Sequence, residues 1–382
     1  MKLRSRKGLF PTLQSLVLVL GVTACVDPVP PEFAYRQGLV YIDALAGTTT
    51  GSSYVKISES AREFGLNINR FISGANVVFL NSDTGREVVL AEQEEAYVPP
   101  SDFKVNIGEK WEMRVTMPDG TRYNSLPEVV PQEVPITNLD VTYNPELVFS
   151  EAYNANVPGH RITVDFDDPA GTENFYLWRF RSFERLVYCR QCFGGTVFRE
   201  GICMVIRPED DDSPLLDYYT YGCEERCWQV RYSDKVNIFS DEFTNGTTIS
   251  NLPVSDILLY TKRNILVELQ QFALSEEAYK YYKTLKDLIE NNSGFNSPLP
   301  AALIGNLYNP GESEDFVLGR FTAAATSVKP IFIERIFIEE EQLESVIYGQ
   351  AEGLETPPPT VLTAPCEEGR YRTNIQPDGW QD

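Results

Sequence analysis

Between residues 37 and 132 the chain is cut into short runs in which apolar and polar residues alternate, each closed by Gly, Asn, Asp or Pro. A period of two constrains the fold more than any other feature here, because it fits a strand with one buried face and does not fit a helix. Trp111-Glu112-Met113-Arg114-Val115-Thr116-Met117 is the clearest run, and Pro118-Asp119-Gly120 supplies the turn after it. Asp83-Thr84-Gly85 predicts a hairpin that sets Val77-Val78-Phe79-Leu80 beside Glu87-Val88-Val89-Leu90. GLVYIDALAG, SSYVKISES, GANVVFLNS, EVVLAEQ and DFKVNIG complete a set of six or seven strands. That density predicts an immunoglobulin-like sandwich over 37–132.

Leu126 to Pro135 carries three prolines and reads as a linker, which puts a domain boundary near residue 132. A second β-rich domain is expected over 133–351, opening with ITNLDVTYN and RITVDFDDP and continuing through the alternating aromatic run Asn174 to Arg181. Strand signals return at VNIFS and ILVELQQFAL. The period then changes once. Ser275 is placed to cap a helix of about 275–291, with Glu276 and Glu277 in its first turn and Gly294 as a stop. Leu274, Ala278, Tyr281, Leu285 and Leu288 form a stripe that most simply packs on the sandwich; a ligand platform of Tyr279, Tyr281 and Tyr282 is the alternative. The fold class expected is therefore mainly β: an N-terminal immunoglobulin-like sandwich, then a second β-sandwich-like domain with a cysteine-rich insertion (about 186–230) and one packed α-helix. An irregular tail, 352–382, is tied down by Cys366 and Trp380.

Residues 1–24 have the form of an export signal: Lys2, Arg4, Arg6 and Lys7, an apolar stretch from Leu13 to Val22, then Val22-Thr23-Ala24-Cys25. Small residues before a cysteine identify a lipoprotein signal, with Cys25 as the lipidated first residue of the mature chain. The apolar stretch is shorter than the roughly 20 residues a spanning helix needs. A polar, proline-rich tether over 25–36 is expected to hold the folded part off the membrane.

The sequence carries a net charge of −22, and without the four basic signal residues it retains 29 basic against 55 acidic side chains, close to −26. Nucleic acid is excluded as a partner, since its recognition needs a basic footprint. Anionic lipid surfaces would repel such a chain, so membrane attachment is expected to rest on acyl groups. Of the seven cysteines, six follow Cys25: Cys189, Cys192, Cys203, Cys223, Cys227 and Cys366. In an exported protein they are disulfide candidates, with 15 connectivities open. Cys189-x2-Cys192 and Cys223-x3-Cys227 also have zinc-like spacing, and Cys189/Cys192 the spacing of a redox pair, but export favours disulfides.

The one histidine, His160, stands beside Gly159 in what reads as a loop. No nucleophile signature accompanies it, and no phosphate-binding loop or zinc-protease motif is present, so no catalytic residue and no cofactor are expected. Carboxylate-pair chemistry stays open because acidic residues are abundant. Asp165, Asp167 and Asp168 are weak calcium candidates, as is the run Glu209 to Asp212, although neither has the spacing of a calcium loop; solvated acidic turns are the simpler reading. Tyr218, Tyr219, Tyr221 and Trp228 lie in or beside the cysteine-rich insertion and are candidate ligand or partner contacts.

Several segments together resemble a family. Asp167 to Trp178 (DDPAGTENFYLW), Leu274 to Tyr279 leading into Tyr281-Tyr282, Pro298 to Asn306 (PLPAALIGN) and Val317-Leu318-Gly319-Arg320-Phe321 are similar to Bacteroidota outer-membrane lipoproteins of the domain-of-unknown-function 4249 type. Where such sequences commonly have a tyrosine after Leu-Gly, this chain has Arg320, and a paired set of cysteines near the C-terminus is reduced to Cys366. The resemblance implies placement at the outer membrane, lipid-anchored and cell-surface or periplasmic in facing, beside a TonB-dependent receptor. It transfers no catalytic residue. Pro169 and Gly171 suit a turn, Asn174 a local backbone bond, and Gly305 and Gly319 close backbone approaches. The function expected is a non-enzymatic accessory or substrate-binding lipoprotein working with a TonB-dependent transporter. The rivals are a structural or assembly subunit of an envelope complex and a carboxylate-dependent hydrolase.

Overall fold

The computed structural model describes residues 37–63, 66–185, 188–192, 196–199, 202–205, 220–233, 235–290, 303, 305–312, 316–343, 366 and 368–381. Its first half is nine strands: β1 (Val40–Gly47), β2 (Tyr54–Glu63), β3 (Leu66–Phe71), β4 (Asn76–Asn81), β5 (Glu87–Gln93), β6 (Ala96–Val98), β7 (Lys110–Thr116), β8 (Arg122–Ser125) and β9 (Glu128–Val129). Then follow β10 (Ile136–Ser150), β11 (Ala155–Asp167), β12 (Phe175–Arg185), β13 (Tyr188–Cys192), β14 (Thr196–Arg199), β15 (Ile202–Val205), β16 (Thr220–Glu225), β17 (Trp228–Tyr232), β18 (Asn237–Ser240), β19 (Thr248–Leu258), β20 (Ile265–Leu274), helix α1 (Glu276–Glu290), β21 (Leu307–Tyr308), β22 (Leu318–Ile333) and β23 (Arg372–Thr373). The chain is mainly β, as its patterning predicts.

Alternation places the first core. Trp111, Met113 and Val115 of β7 and Val77 and Phe79 of β4 turn inward to meet Ile42 and Ala44 of β1, Val55 and Ile57 of β2, and Phe321 and Ala323 of β22. Phe103 joins them, 5.7 Å from Phe79 and edge-on to Trp111 at 5.5 Å. The expected hairpin forms with Val77 opposite Leu90 and Phe79 opposite Val88, and Asn81 closes its turn by accepting the Asp83 and Thr84 amides. At Pro118-Asp119-Gly120 the chain reverses through a Gly120 φ of 90°. DFKVNIG, expected as a strand, is irregular: Phe103 and Val105 are buried, but Val105 makes its backbone bond to Gly47 rather than entering a ladder.

The second sandwich packs the sheet β10-β11-β19 against β12, β20 and β22. Ile162, Val164 and Phe166 face Tyr176, Trp178, Val267 and Leu269 across it. β22 belongs to both regions. Its first half runs parallel to β1, Tyr41 opposite Leu318 through Gly47 opposite Ala324, and its second half pairs antiparallel with β20, Ala325 opposite Ala273 through Ile333 opposite Ile265. A continuous ladder therefore crosses the boundary expected near residue 132, and Gly38–Asp382 forms one compact unit.

Two further sequence expectations change. The proline-rich segment 126–135 is fastened along its length rather than free: Val130 exchanges bonds with Gly108 and Glu109, and Gln271 donates to the Val134 carbonyl at 2.8 Å. His160 sits within β11, opposite Tyr143 and Ile257, and not in a loop. The helix begins as expected, with Ser275 Oγ accepting the Ala278 amide at 3.2 Å. Gly294 lies outside the described residues.

Candidate functional site

The outer face of the β12-β20-β22 sheet changes character along its length. In β12 the residues on that face are Phe175 and Leu177, then Arg179 and Arg181, then Phe183; in β20 they are Leu274 and Phe272, then Gln270 and Glu268, then Leu266. The first apolar stretch is covered by Ala278, Tyr281 and Tyr282 of α1. The last is covered by the C-terminal tail, where Trp380 packs edge-on to Trp228 at 5.9 Å and to Phe332 at 5.4 Å. Between helix and tail the polar middle is left open as a cleft of about 860 Å³. That volume suits a small-molecule ligand.

The first sandwich supplies one wall. Tyr54 and Lys56 of β2 point away from the core that Val55 and Ile57 enter, so both face the cleft. The tail supplies the opposite wall with Glu368, Gly369, Arg370 and Tyr371. It is held there by the Cys227–Cys366 disulfide, with Cα atoms 5.6 Å apart and a sequence separation of 139, and by β23 pairing with β17.

The cleft is rich in cations and aromatic rings. The Arg370 guanidinium lies 4.3 Å from the Tyr232 ring centre, 5.4 Å from Tyr54 and 5.8 Å from Tyr371. Arg179 lies 5.7 Å from Tyr54 and 5.8 Å from Tyr282, and is 3.6 Å from Asp43, which also accepts the Tyr54 hydroxyl at 2.7 Å. Burial disfavours the Arg179 cation, but the fields of Asp43, Tyr282 and Tyr41 outweigh it and hold its pKa above the usual value. Arg181 is bonded to Glu268. Lys56 is drawn below its ordinary pKa, first by burial and then by Arg370.

A smaller hollow of about 620 Å³ lies between β9, α1 and β22. Arg320 and Glu128 are ion-paired there, 5% and 8% exposed. Glu128 also accepts the Ala323 amide at 3.0 Å and the Ser275 hydroxyl at 3.3 Å. Burial brings Arg320 down to about 10, so it stays charged at neutral pH. With that charge answered inside the protein, the hollow has less to offer a ligand than the cleft.

The sequence candidates fall elsewhere. Cys25, Tyr218, Tyr219 and Glu209 to Asp212 lie outside the described residues. Cys189 and Cys192 fall on β13, Cys203 on β15, and Tyr221 and Cys223 on β16, where only the strand backbone is described. Trp228 is 1% exposed and spent on packing the tail. Asp165 accepts the Asn251 amide at 2.6 Å, Asp167 the Thr248 hydroxyl at 2.6 Å, and Asp168 the Tyr176 hydroxyl at 2.5 Å and the Gly246 amide at 3.0 Å. No cluster of three or more metal-binding side chains occurs among the described residues. Asp168 and Asp241 are buried neighbours, and burial leads the causes that raise the Asp168 pKa, but neither lines the cleft. His160 is 3% exposed, 5.1 Å from the Tyr143 ring, and lowered to about 4 by burial and by Arg335. Tyr279 stacks on Phe175 at 4.9 Å, and the Tyr282 hydroxyl lies 3.1 Å from Thr322 Oγ1, so these helix tyrosines pack rather than form an open platform.

In the sequence alone, no motif groups Arg179, Arg181, Lys56 and Arg370. The available signal was two arginines at i and i+2 interrupting the apolar face of β12, matched by Glu268 and Gln270 in β20. No helix among the described residues is long and apolar enough to cross a membrane. Compared with protein-family models, residues 26–329 match the one described as Domain of unknown function (DUF4249). No curated protein matches the chain.

Proposed function

Because the chain belongs to the DUF4249 family, a domain of unknown function, we propose its role from the cleft and the leader: a non-enzymatic, lipid-anchored outer-membrane protein that binds a small ligand as the accessory component of a TonB-dependent transporter. The observation that carries this reading is the 860 Å³ cleft, whose arginines and tyrosines are already positioned by one continuous sheet and a disulfide-held tail. A site fixed before the ligand arrives loses less entropy on binding. The leader ending at Cys25 supports anchoring, and the net charge of −22 supports anchoring by acyl chains rather than by contact with anionic lipid. His160, the one histidine, is enclosed in the second sandwich and does not line the cleft, which favours binding over acid–base chemistry there.

The test is affinity purification of a tagged full-length copy from gently solubilised outer membrane. The reading expects a TonB-dependent receptor in stoichiometric amounts. Recovery of the protein without any membrane partner would remove the transporter role.

A further inference from the structure

The carboxylates of the cleft are all engaged, and of its five cations Lys56, Lys235 and Arg370 have no carboxylate partner among the described residues. Asp43 stands opposite Lys56 in the β1–β2 register but is occupied by the Tyr54 hydroxyl and Arg179. Glu268 is bonded to Arg181. Glu92 accepts the Ser73 hydroxyl at 2.6 Å and the Gly74 amide at 2.7 Å, and Glu368 accepts the Thr373 hydroxyl at 2.9 Å and the Asn374 amide at 3.2 Å. From the neighbouring hairpin, Glu94 accepts the Tyr371 amide and Glu95 the Tyr371 hydroxyl. Among the described residues, neither Lys56 nor Arg370 has a carboxylate within ion-pair distance. Arg370 is nonetheless 7% exposed, and its Nε has no hydrogen-bond partner.

A buried guanidinium with an unanswered donor is costly, and a lysine held against it adds like-charge repulsion. The cost is not offset locally, because the carboxylates around the cleft are each bonded to other groups and none lies within ion-pair distance of this guanidinium. An arginine clasped between tyrosine rings also keeps its planar fork fixed, which suits two-point contact with an oxyanion.

We propose that the cleft binds its ligand through an oxyanion, a carboxylate, phosphate or sulfate group, seated between Lys56 and Arg370; this rests on the reading of the cleft as the ligand site. The tyrosines around Arg370 then contact the body of the ligand, while Arg179 and Arg181, already paired, shape the floor.

The full-length lipidated protein in detergent is titrated with sodium phosphate, sodium sulfate and sodium acetate against sodium chloride at matched ionic strength, by calorimetry and by melting temperature. Acetate reports a planar carboxylate and the other two a tetrahedral oxyanion. At least one is expected to bind saturably, at least tenfold more weakly in Arg370→Gln and in Lys56→Gln, and more weakly as chloride rises. Lys56→Gln is the control for folding, because Lys56 points away from the core that Val55 and Ile57 enter and the variant should melt as a single cooperative unit. Binding no stronger than chloride for all three probes, or binding unchanged in Lys56→Gln, overturns the anion site. Receptor recovery is scored separately: a receptor that still co-purifies when anion binding fails removes this inference and leaves the accessory role standing.

Discussion

At Gly319 a single added methyl group would meet backbone. Its φ is +106°, and a Cβ there would lie 1.9 Å from the Ile42 carbonyl oxygen; a Cβ on Gly305 would lie 2.0 Å from the Gly319 oxygen. These two glycines let β1, β22 and the segment before β21 stack backbone on backbone, and the Asn306 side chain completes the join by bonding both the amide and the carbonyl of Phe321 at 3.0 and 2.9 Å. Gly319→Ala should cost about 3 kcal/mol, at the upper end of overpacking penalties, read as a lower urea midpoint at unchanged slope. His160 gives a pH prediction. Its pKa is about 4 in the fold and near 6.5 unfolded, so between these values the unfolded chain binds the extra proton. Stability should fall as pH drops from about 6.5 to about 4, by up to ~3 kcal/mol from this residue. His160→Phe should flatten that part of the melting-temperature profile, and a profile identical to wild type would remove His160 as the cause.

Among the elements, hairpins were legible and long-range joins were not. β4, β5 and β7 declare themselves because one face is solvent and the period of two survives in the sequence. β22 does not, since Phe321 to Ser327 is buried on both faces and its Ala-Thr run carries no period. The cleft was illegible for a related reason: its side chains come from β2, β12 and a tail fastened from a distant position, and only the tertiary fold shows them together. Helix α1 was legible from Ser275 and its stripe, but the buried pair beneath its N-terminus was not. Glu128→Ala leaves Arg320 buried and unanswered, and should cost about 3–5 kcal/mol, whereas replacing both residues by Met should cost far less; urea unfolding of the single and double variants separates the two. The disulfide acts at the same scale. Cys227→Ser with Cys366→Ser should lower stability by about 2–5 kcal/mol and, by loosening the tail that carries Arg370, weaken anion binding more than the Lys56-side wall.

For the whole molecule, the central relation is between an acidic body and a cation-lined cleft. The sheets serve it together: the first sandwich presents Lys56, the second presents the arginine floor, and the tail closes the remaining side. Tethering is tested by Cys25→Ala, which should move the protein from the membrane to the soluble fraction; retention in the membrane pellet after a high-salt wash would deny the lipid anchor. The claim that this opening is the working surface is tested most directly by photocrosslinking in intact cells, with a benzophenone side chain placed at Tyr232 on the cleft rim or at Phe243, which is 90% exposed and outside the cleft. The expected result is a defined adduct, resolved by mass, at position 232 and none at 243. Equal adducts at both positions, or an adduct at 243 alone, would contradict it.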